Sequence, residues 1–134
     1  ARTLFGAEVT GVCSSANLDL VKSLGAAHVL DYTRQDFTRQ GTLYDVVFDA
    51  VAKFPAAQAR QALKPGGVYL NVHRDAHAKT GQTRLQELLE LKALLEAGHF
   101  KPVIDRVYPF EQIVEAHRYV EQGHKKGNVV IVIA

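Results

Sequence analysis

EVTGVCSSANLDLVKSLGAAHVLDY, residues 8–32, is the stretch that decides the fold. Val9 and Val12 belong to a short apolar run that stops at Cys13, Ser14, Ser15, Ala16 and Asn17. Small polar side chains of that kind accept hydrogen bonds from free N–H groups and so start helices. Leu18, Val21 and Leu24 follow at near-helical spacing. Gly25 then falls where a left-handed closing residue is wanted, since it carries no Cβ to clash. His28, Val29 and Leu30 read as a second strand that ends at Asp31 and Tyr32. A helix between two short buried strands is the βαβ unit of a parallel sheet, with a right-handed crossover expected. Such sheets bind ligands outside the carboxyl ends of their strands. Function is therefore expected at the turns formed by residues 13–17 and 31–32.

Working outward, residues 1–5 read as the last turn of a helix stopped by Gly6, so a preceding segment is expected. Residues 33–43 are polar, with room for a short helix around residues 36–38. YDVVFDA, residues 44–50, is a third strand; Val46, Val47 and Phe48 in succession predict cover on both faces. Residues 56–63 predict a helix behind Pro55, broken by Lys64, Pro65, Gly66 and Gly67, and residues 68–72 a fourth strand. Residues 73–82 read as a polar loop. Thr83 and Gln86 form a capping-box pattern for a helix over residues 83–97. Its face of Leu85, Leu88, Leu89 and Leu95 is widened by Leu91 and Leu94, which predicts that much of it is buried. Residues 102–106 are extended. A helix over residues 110–122 is expected to turn Ile113, Val114, His117 and Val120 inward, and residues 128–133 form a last strand.

The 134 residues are one domain's worth of chain, enough for one core. Hydrophobic content of 47% and charged content of 22% are ordinary for a globular protein. The net charge is only +2, and His124, Lys125 and Lys126 form the one basic cluster, so neither nucleic acid nor an anionic membrane is expected as a partner. No apolar run approaches the roughly 18 residues of a transmembrane helix. Cys13 is the single cysteine, which excludes an intrachain disulfide and a cysteine-based zinc cluster. A reducing compartment, the cytoplasm by default, is expected.

Several motifs together resemble a known family. GAEVTGVCSS at residues 6–15, KSLGAAHVLDYT at 22–33, YDVVFDAV at 44–51 and LKPGGVYLNV at 63–72 are the first four. The longest is KPVIDRVYPFEQIVEAHRYVEQGHKKGNVVI at residues 101–131. The chain resembles the carboxyl-terminal, nucleotide-binding part of the medium-chain dehydrogenase/reductase superfamily, in its zinc-free quinone oxidoreductase-like branch. The resemblance implies an α/β, doubly wound (Rossmann-like) parallel sheet. It also implies NADPH as cofactor and quinones or α,β-unsaturated carbonyls, small electrophiles, as substrates. Two departures stand beside it. The family's first strand and glycine-rich turn have no counterpart here, and only residues 73–82 fill the place of a strand and a segment that commonly helps form the dimer. Residues 1–134 are therefore expected to be a single, partial nucleotide-binding domain. Residues 128–133 match the strand that in the family returns to the catalytic domain. With the central strand missing, residues 9–12 and 44–49 are expected to pair with each other or with a strand from elsewhere.

The candidate cofactor residues are Ser14, Ser15, Asn17, Tyr32, Val51, Ala52, Asn71 and Val72. No acid lies between Val12 and Leu18 to hold a ribose 2′-hydroxyl, and hydroxyls, an amide and helix N–H groups suit an anion. The alternative is that Ser14, Ser15 and Asn17 only cap a helix. Tyr32 matches a family position beside the adenosine phosphate; its plain reading is a half-buried strand end. Val51 and Ala52, and residues 71–73, match turns near the ribose and nicotinamide. Lys22, Lys125 and Lys126 read as solvated charges. His73 and His77 with Asp75 could ligate a metal only from a helix; as a loop they predict none. Cys13 reads as a small core residue. No nucleophile–base pair is legible, which agrees with hydride transfer, where the cofactor carries the chemistry.

The reading is thus part of an NADPH-dependent oxidoreductase, with this chain expected to be inactive alone. Two other readings compete. One is a non-catalytic remnant that binds a partner or forms a homo-oligomer through bare sheet edges. The other is an S-adenosylmethionine-dependent methyltransferase, suggested by YDVVFDA followed by LKPGGVYLNV and opposed by LGAAHVLDY and GHKKGNVVI.

Overall fold

The structure is a computed structural model; it describes residues 1–75 and 81–133, with the backbone alone at 81–84. The chain divides into two compact units, Ala1–Leu85 and Gln86–Ala134. It is an α/β chain in which every described strand pairing is parallel.

The first unit opens with α1 (Arg2–Phe5), closed by left-handed Gly6 as the sequence predicts. β1 (Thr10–Cys13) leads through a one-turn 3₁₀ helix (Ser15–Asn17) into α2 (Leu18–Ser23), and β2 (His28–Asp31) lies parallel to β1. Gly25 has φ 98°, the left-handed geometry expected there. Gly11 lets α2 lie close on β1, because a Cβ at that position would collide with Val21. A second 3₁₀ turn (Phe37–Arg39) precedes β3 (Tyr44–Asp49) and α3 (Ala56–Arg60). Phe37 packs on Phe54 with ring centroids 5.1 Å apart, and Gln58 Nε2 donates to Asp36 Oδ2 at 3.2 Å, tying α3 to that turn.

β4 (Leu63–Asn71) corrects the expected boundary between a helix over 56–63 and a strand over 68–72. The Lys64–Gly67 stretch is not a break. Tyr44 pairs with Leu63 and Val46 with Val68, so the stretch bulges out of a continuing strand. Gly66, at φ 80°, supplies the positive angle the bulge needs. At the other end, Val72, expected to close the strand, starts α4 (Val72–Asp75), so residues 73–75 are helical where a loop was expected; residues 76–80 of that loop lie outside the described residues.

Residues 9–12 and 44–49 do not pair with each other. β1 pairs with β2 and β3 with β4 in separate two-stranded sheets, and among the described residues neither strand has a second neighbour. β3 is also not covered on both faces: Val46 and Phe48 are exposed, Phe48 at 59%, because their face opens on the cleft between β1 and β3. Among the described residues, the buried apolar side chains of this unit are Ala59, Ala62 and Tyr69.

α5 (Gly81–Glu96) starts two residues before the expected helix, and the side chain of Thr83 lies outside the described residues. Leu85, Leu88, Leu89, Leu91 and Leu95 are exposed rather than buried. Leucine spacing tells which side of a helix is apolar; cover depends on another element.

In the second unit, β5 (Ile104–Pro109) and β6 (Asn128–Val132) pair in parallel, joined through a 3₁₀ turn (Phe110–Gln112) and α6 (Ile113–Glu121). α6 does not turn Val114, His117 and Val120 inward. Ala116 is its buried residue, flanked one turn away on either side by half-buried Ile113 and Tyr119. Tyr119 fixes that face: its hydroxyl donates to Asp105 Oδ2 at 2.6 Å, and the Arg106 guanidinium lies 3.8 Å from its ring centroid. Among the described residues no helix is long and apolar enough to cross a membrane.

Candidate functional site

The parallel register sets Cys13 beside Asp31, so the turns after β1 and β2 meet. Asp31 is 7% exposed, and its carboxylate holds both turns. The Ser15 hydroxyl donates to Oδ2; Thr33 donates to Oδ1 through its N–H at 2.9 Å and its hydroxyl at 2.7 Å. Arg34 Nε lies 3.7 Å from Oδ2. The Ser15 and Thr33 hydroxyl bonds, with smaller help from the Thr33 N–H and Arg34, outweigh burial and hold the Asp31 carboxyl below the usual range. Burial first, then the Asp31 charge, pushes the half-buried Cys13 thiol up.

Ser14 and Asn17 stand at helix-capping positions, yet neither side chain makes a cap hydrogen bond. Asn17 Oδ1 is instead buried without a hydrogen-bond partner. Capping therefore does not account for these side chains. Tyr32 is 63% exposed and is not a core residue. Lys22 is exposed, as expected of a solvated charge.

After β3, Asp49 orders the turn. It accepts from the N–H groups of Val51 at 3.1 Å, Ala52 at 2.7 Å and Phe54 at 3.3 Å, and from the Tyr69 hydroxyl at 3.2 Å. Desolvation pushes its carboxyl up, but these donors outweigh it and leave the group below the usual range. They hold Ala52 in the left-handed region at φ 57°, where an L side chain is strained. After β4, Asn71 is a helix cap. Its Oδ1 accepts from His73 N at 3.0 Å and Arg74 N at 3.3 Å, while its own N–H donates to Asp75 Oδ2 at 2.6 Å. Val72 is half-buried in the first position of α4. His73 and Asp75 lie on α4, but His77 lies outside the described residues, and Asp75 is engaged by Arg74. Among the described residues, no group of three His, Cys, Asp or Glu side chains is placed to hold a metal.

A cleft of about 710 Å³ lies between β1 and β3, lined by Val12, Val46, Phe48, Tyr32 and Val51 among others. It brings Tyr32 and Val51 together; Ser14, Ser15, Asn17, Ala52, Asn71 and Val72 are not in its lining. A second hollow, about 770 Å³, touches Leu43, Leu63 and Gly67 at the amino-terminal ends of β3 and β4, the wrong end for an α/β ligand. Lys125 and Lys126 belong to the second unit, where Lys125 Nζ donates to Gly127 O and Lys126 N to Asp105.

Asp31 and Asp49 organise two of these turns, and residue reading named neither as a site residue. A signal was present: Asp31 and Thr33, like Asp36 and Thr38, form an Asp-x-Thr pattern that closes a side-chain turn.

The arrangement fits the adenosine end of a nucleotide: an orphaned amide oxygen, an exposed aromatic ring and hydroxyls at adjoining strand ends. The residues that directly follow β1 to β4, 14–17, 32–36, 50–55 and 72–75, carry no glycine, and these turns do not build a glycine-rich cradle of backbone N–H groups for a pyrophosphate.

A protein-family profile described as zinc-binding dehydrogenase matches residues 24–86 and 73–131. 2-Methylene-furan-3-one reductase of Solanum lycopersicum is 36% identical over 139 residues, covering 98% of this chain and 35% of that protein. NADPH-dependent alkenal/one oxidoreductase, chloroplastic, of Arabidopsis thaliana is 32% identical, covering 98% of this chain and 35% of that protein. The solved quinone oxidoreductase of Coxiella burnetii superposes with a TM-score of 0.74 at 25% identity, over 94% of this chain and 45% of that one. These are dehydrogenases and reductases built on a Rossmann-type nucleotide-binding domain. The chain belongs to the medium-chain dehydrogenase/reductase family, in its quinone oxidoreductase-like branch, as part of the carboxyl-terminal nucleotide-binding half. It spans about a third of the length of the curated relatives named above.

Proposed function

We propose that this chain is part of an NADPH-dependent oxidoreductase that passes a hydride to quinones or α,β-unsaturated carbonyls, and that it supplies the adenosine side of the cofactor site. The carrying observation is the joined pair of turns after β1 and β2, with Ser15 and Thr33 on Asp31 and Tyr32 exposed beside them. Two curated relatives are named as reductases of small unsaturated ketones or alkenals, which supports that substrate class. Bound NADPH would supply the hydride itself. Tyr32 stacks against the adenosine, and Asn17 Oδ1 accepts from a ribose hydroxyl or the adenine amino group. Ser14 and the N–H groups of Ser15 and Ala16 face the 2′-phosphate, while the Asn17 N–H closes the turn on Ser14 O. Val51 lets the cofactor lie close to the turn after β3. Ala52, Asn71 and Val72 act as backbone walls for its ribose and nicotinamide. The chain alone is inactive as a reductase, because its turns build no cradle for the pyrophosphate. A reducing compartment, the cytoplasm first, suits Cys13 kept as a free thiol.

Titration of the folded chain with NADPH and NADH, followed by amide NMR, tests this. Saturable binding that moves Ser14, Ser15, Asn17 and Tyr32, tighter for NADPH, is expected. A folded chain that binds neither nucleotide would overturn it.

A second reading has its own observation: among the described residues β1 and β3 each have one bare edge on an apolar cleft, which favours self-association by strand pairing. Sedimentation equilibrium checks it, and a chain that stays monomeric across the concentration range rules it out.

A further inference from the structure

We propose that Asp31 sets how strongly this site prefers a 2′-phosphorylated nucleotide, acting through Ser15; the inference rests on the nucleotide reading above. Ser15 has one hydroxyl proton, and it is given to Asp31 Oδ2. The oxygen that remains can accept from a ribose 2′-hydroxyl but has no proton to offer a phosphate. Every bond made to the Asp31 oxygens comes from a donor, as a carboxylate anion requires. A 2′-phosphate at Ser15 would therefore stand one side chain away from a negative charge.

That charge is compensated only in part, and among the described residues by a single cation. The Asp31 side chain is 9% exposed, whereas its cationic neighbour Arg34 is 79% exposed and 3.7 Å away. Nor can the carboxylate swing aside, because Thr33 holds Oδ1 with two bonds and the β1–β2 register fixes its backbone. The turn after β1 holds no acid of its own, yet an acid reaches it from the neighbouring strand. Asp31 thus weakens a preference that the Ser14 hydroxyl and the N–H groups of Ser15 and Ala16 would otherwise make stronger.

Asp31→Asn tests this. The amide oxygen keeps the Thr33 bonds, and the amide NH₂ donates to Ser15, whose own proton is then free for a phosphate. The ratio of the NADH to the NADPH dissociation constant should rise about tenfold, as should that of AMP to adenosine 2′,5′-bisphosphate. Ser15→Ala alone should change NADPH affinity less than about threefold, and in the Asp31→Asn background it should remove most of the gain. A purely structural role would weaken all four nucleotides together. Should Asp31→Asn fail to fold, Arg34→Gln on the exposed partner gives the opposite sign: with Asp31 less compensated, the ratio should fall. A folded Asp31→Asn chain with an unchanged ratio, or an Arg34→Gln ratio that holds or rises, overturns the inference alone. Failure of the wild-type chain to bind any of the four overturns the nucleotide reading and this inference together.

Discussion

Asp49 has the most donors of any carboxylate described in the first unit's turns, and each of them counts on its being an acceptor on all sides. An Asp49→Asn side chain has one accepting oxygen and presents an NH₂ to groups that are themselves donors. Removing the match should cost about 1–3 kcal/mol, read from urea unfolding with an unchanged slope. The strain at Ala52 makes this sharper, because its left-handed backbone is held by the shortest of those bonds. Ala52 and Val51 were legible as small residues at a strand end. The positive φ was not, since it follows from where Asp49 places its oxygens rather than from any preference of alanine. Asn71 shows the same limit: its residue type suits a ligand or a cap equally, and the Asp75 that makes it a cap arrives four residues later.

Among the elements, the βαβ unit of residues 8–32 was legible because its signals are local: a polar helix start, apolar spacing and a left-handed glycine. What the sequence hid was the handling of Lys64–Gly67, where Pro and two Gly suggest a stop and the chain instead bulges within β4. The faces of α5 and α6 were hidden for a different reason. On α6 the buried residue is the small Ala116, while the larger Val114 and Val120 are exposed. Close approach leaves its own mark at Gly11, whose added Cβ would overlap Val21 on α2. Gly11→Ala should therefore destabilise the first unit by about 1–3 kcal/mol through overpacking, although alanine suits a strand better than glycine. Thermal unfolding followed by circular dichroism checks it, and a gain in stability would mean that α2 shifts freely.

For the whole molecule, the hydrogen-bonded aspartates behave alike: Asp31, Asp36, Asp45, Asp49, Asp75 and Asp105 are all held below the usual carboxylate range by their donors. An unfolded chain takes up protons on these groups at higher pH than the folded one. Their stabilisation is therefore complete above about pH 4 and is lost as pH falls through the lower folded-state values. The unfolding temperature should be insensitive to these groups between about pH 5 and about pH 7, and should fall steadily below about pH 4. A chain that kept its full stability at about pH 2 would show that these hydrogen bonds survive protonation.

The strand pairings carry a kinetic consequence. Each of the three pairs joins strands that follow one another in the chain, with only about twenty residues between partners. Closing such short loops costs little entropy, and no described pairing ties one sheet to another. The three pairs should therefore open one at a time rather than together. Native-state amide exchange across a denaturant series should resolve separate isotherms for residues 10–31, 44–71 and 104–132, each a folding unit in its own right. A single shared isotherm would mean that side chains outside the sheets couple them.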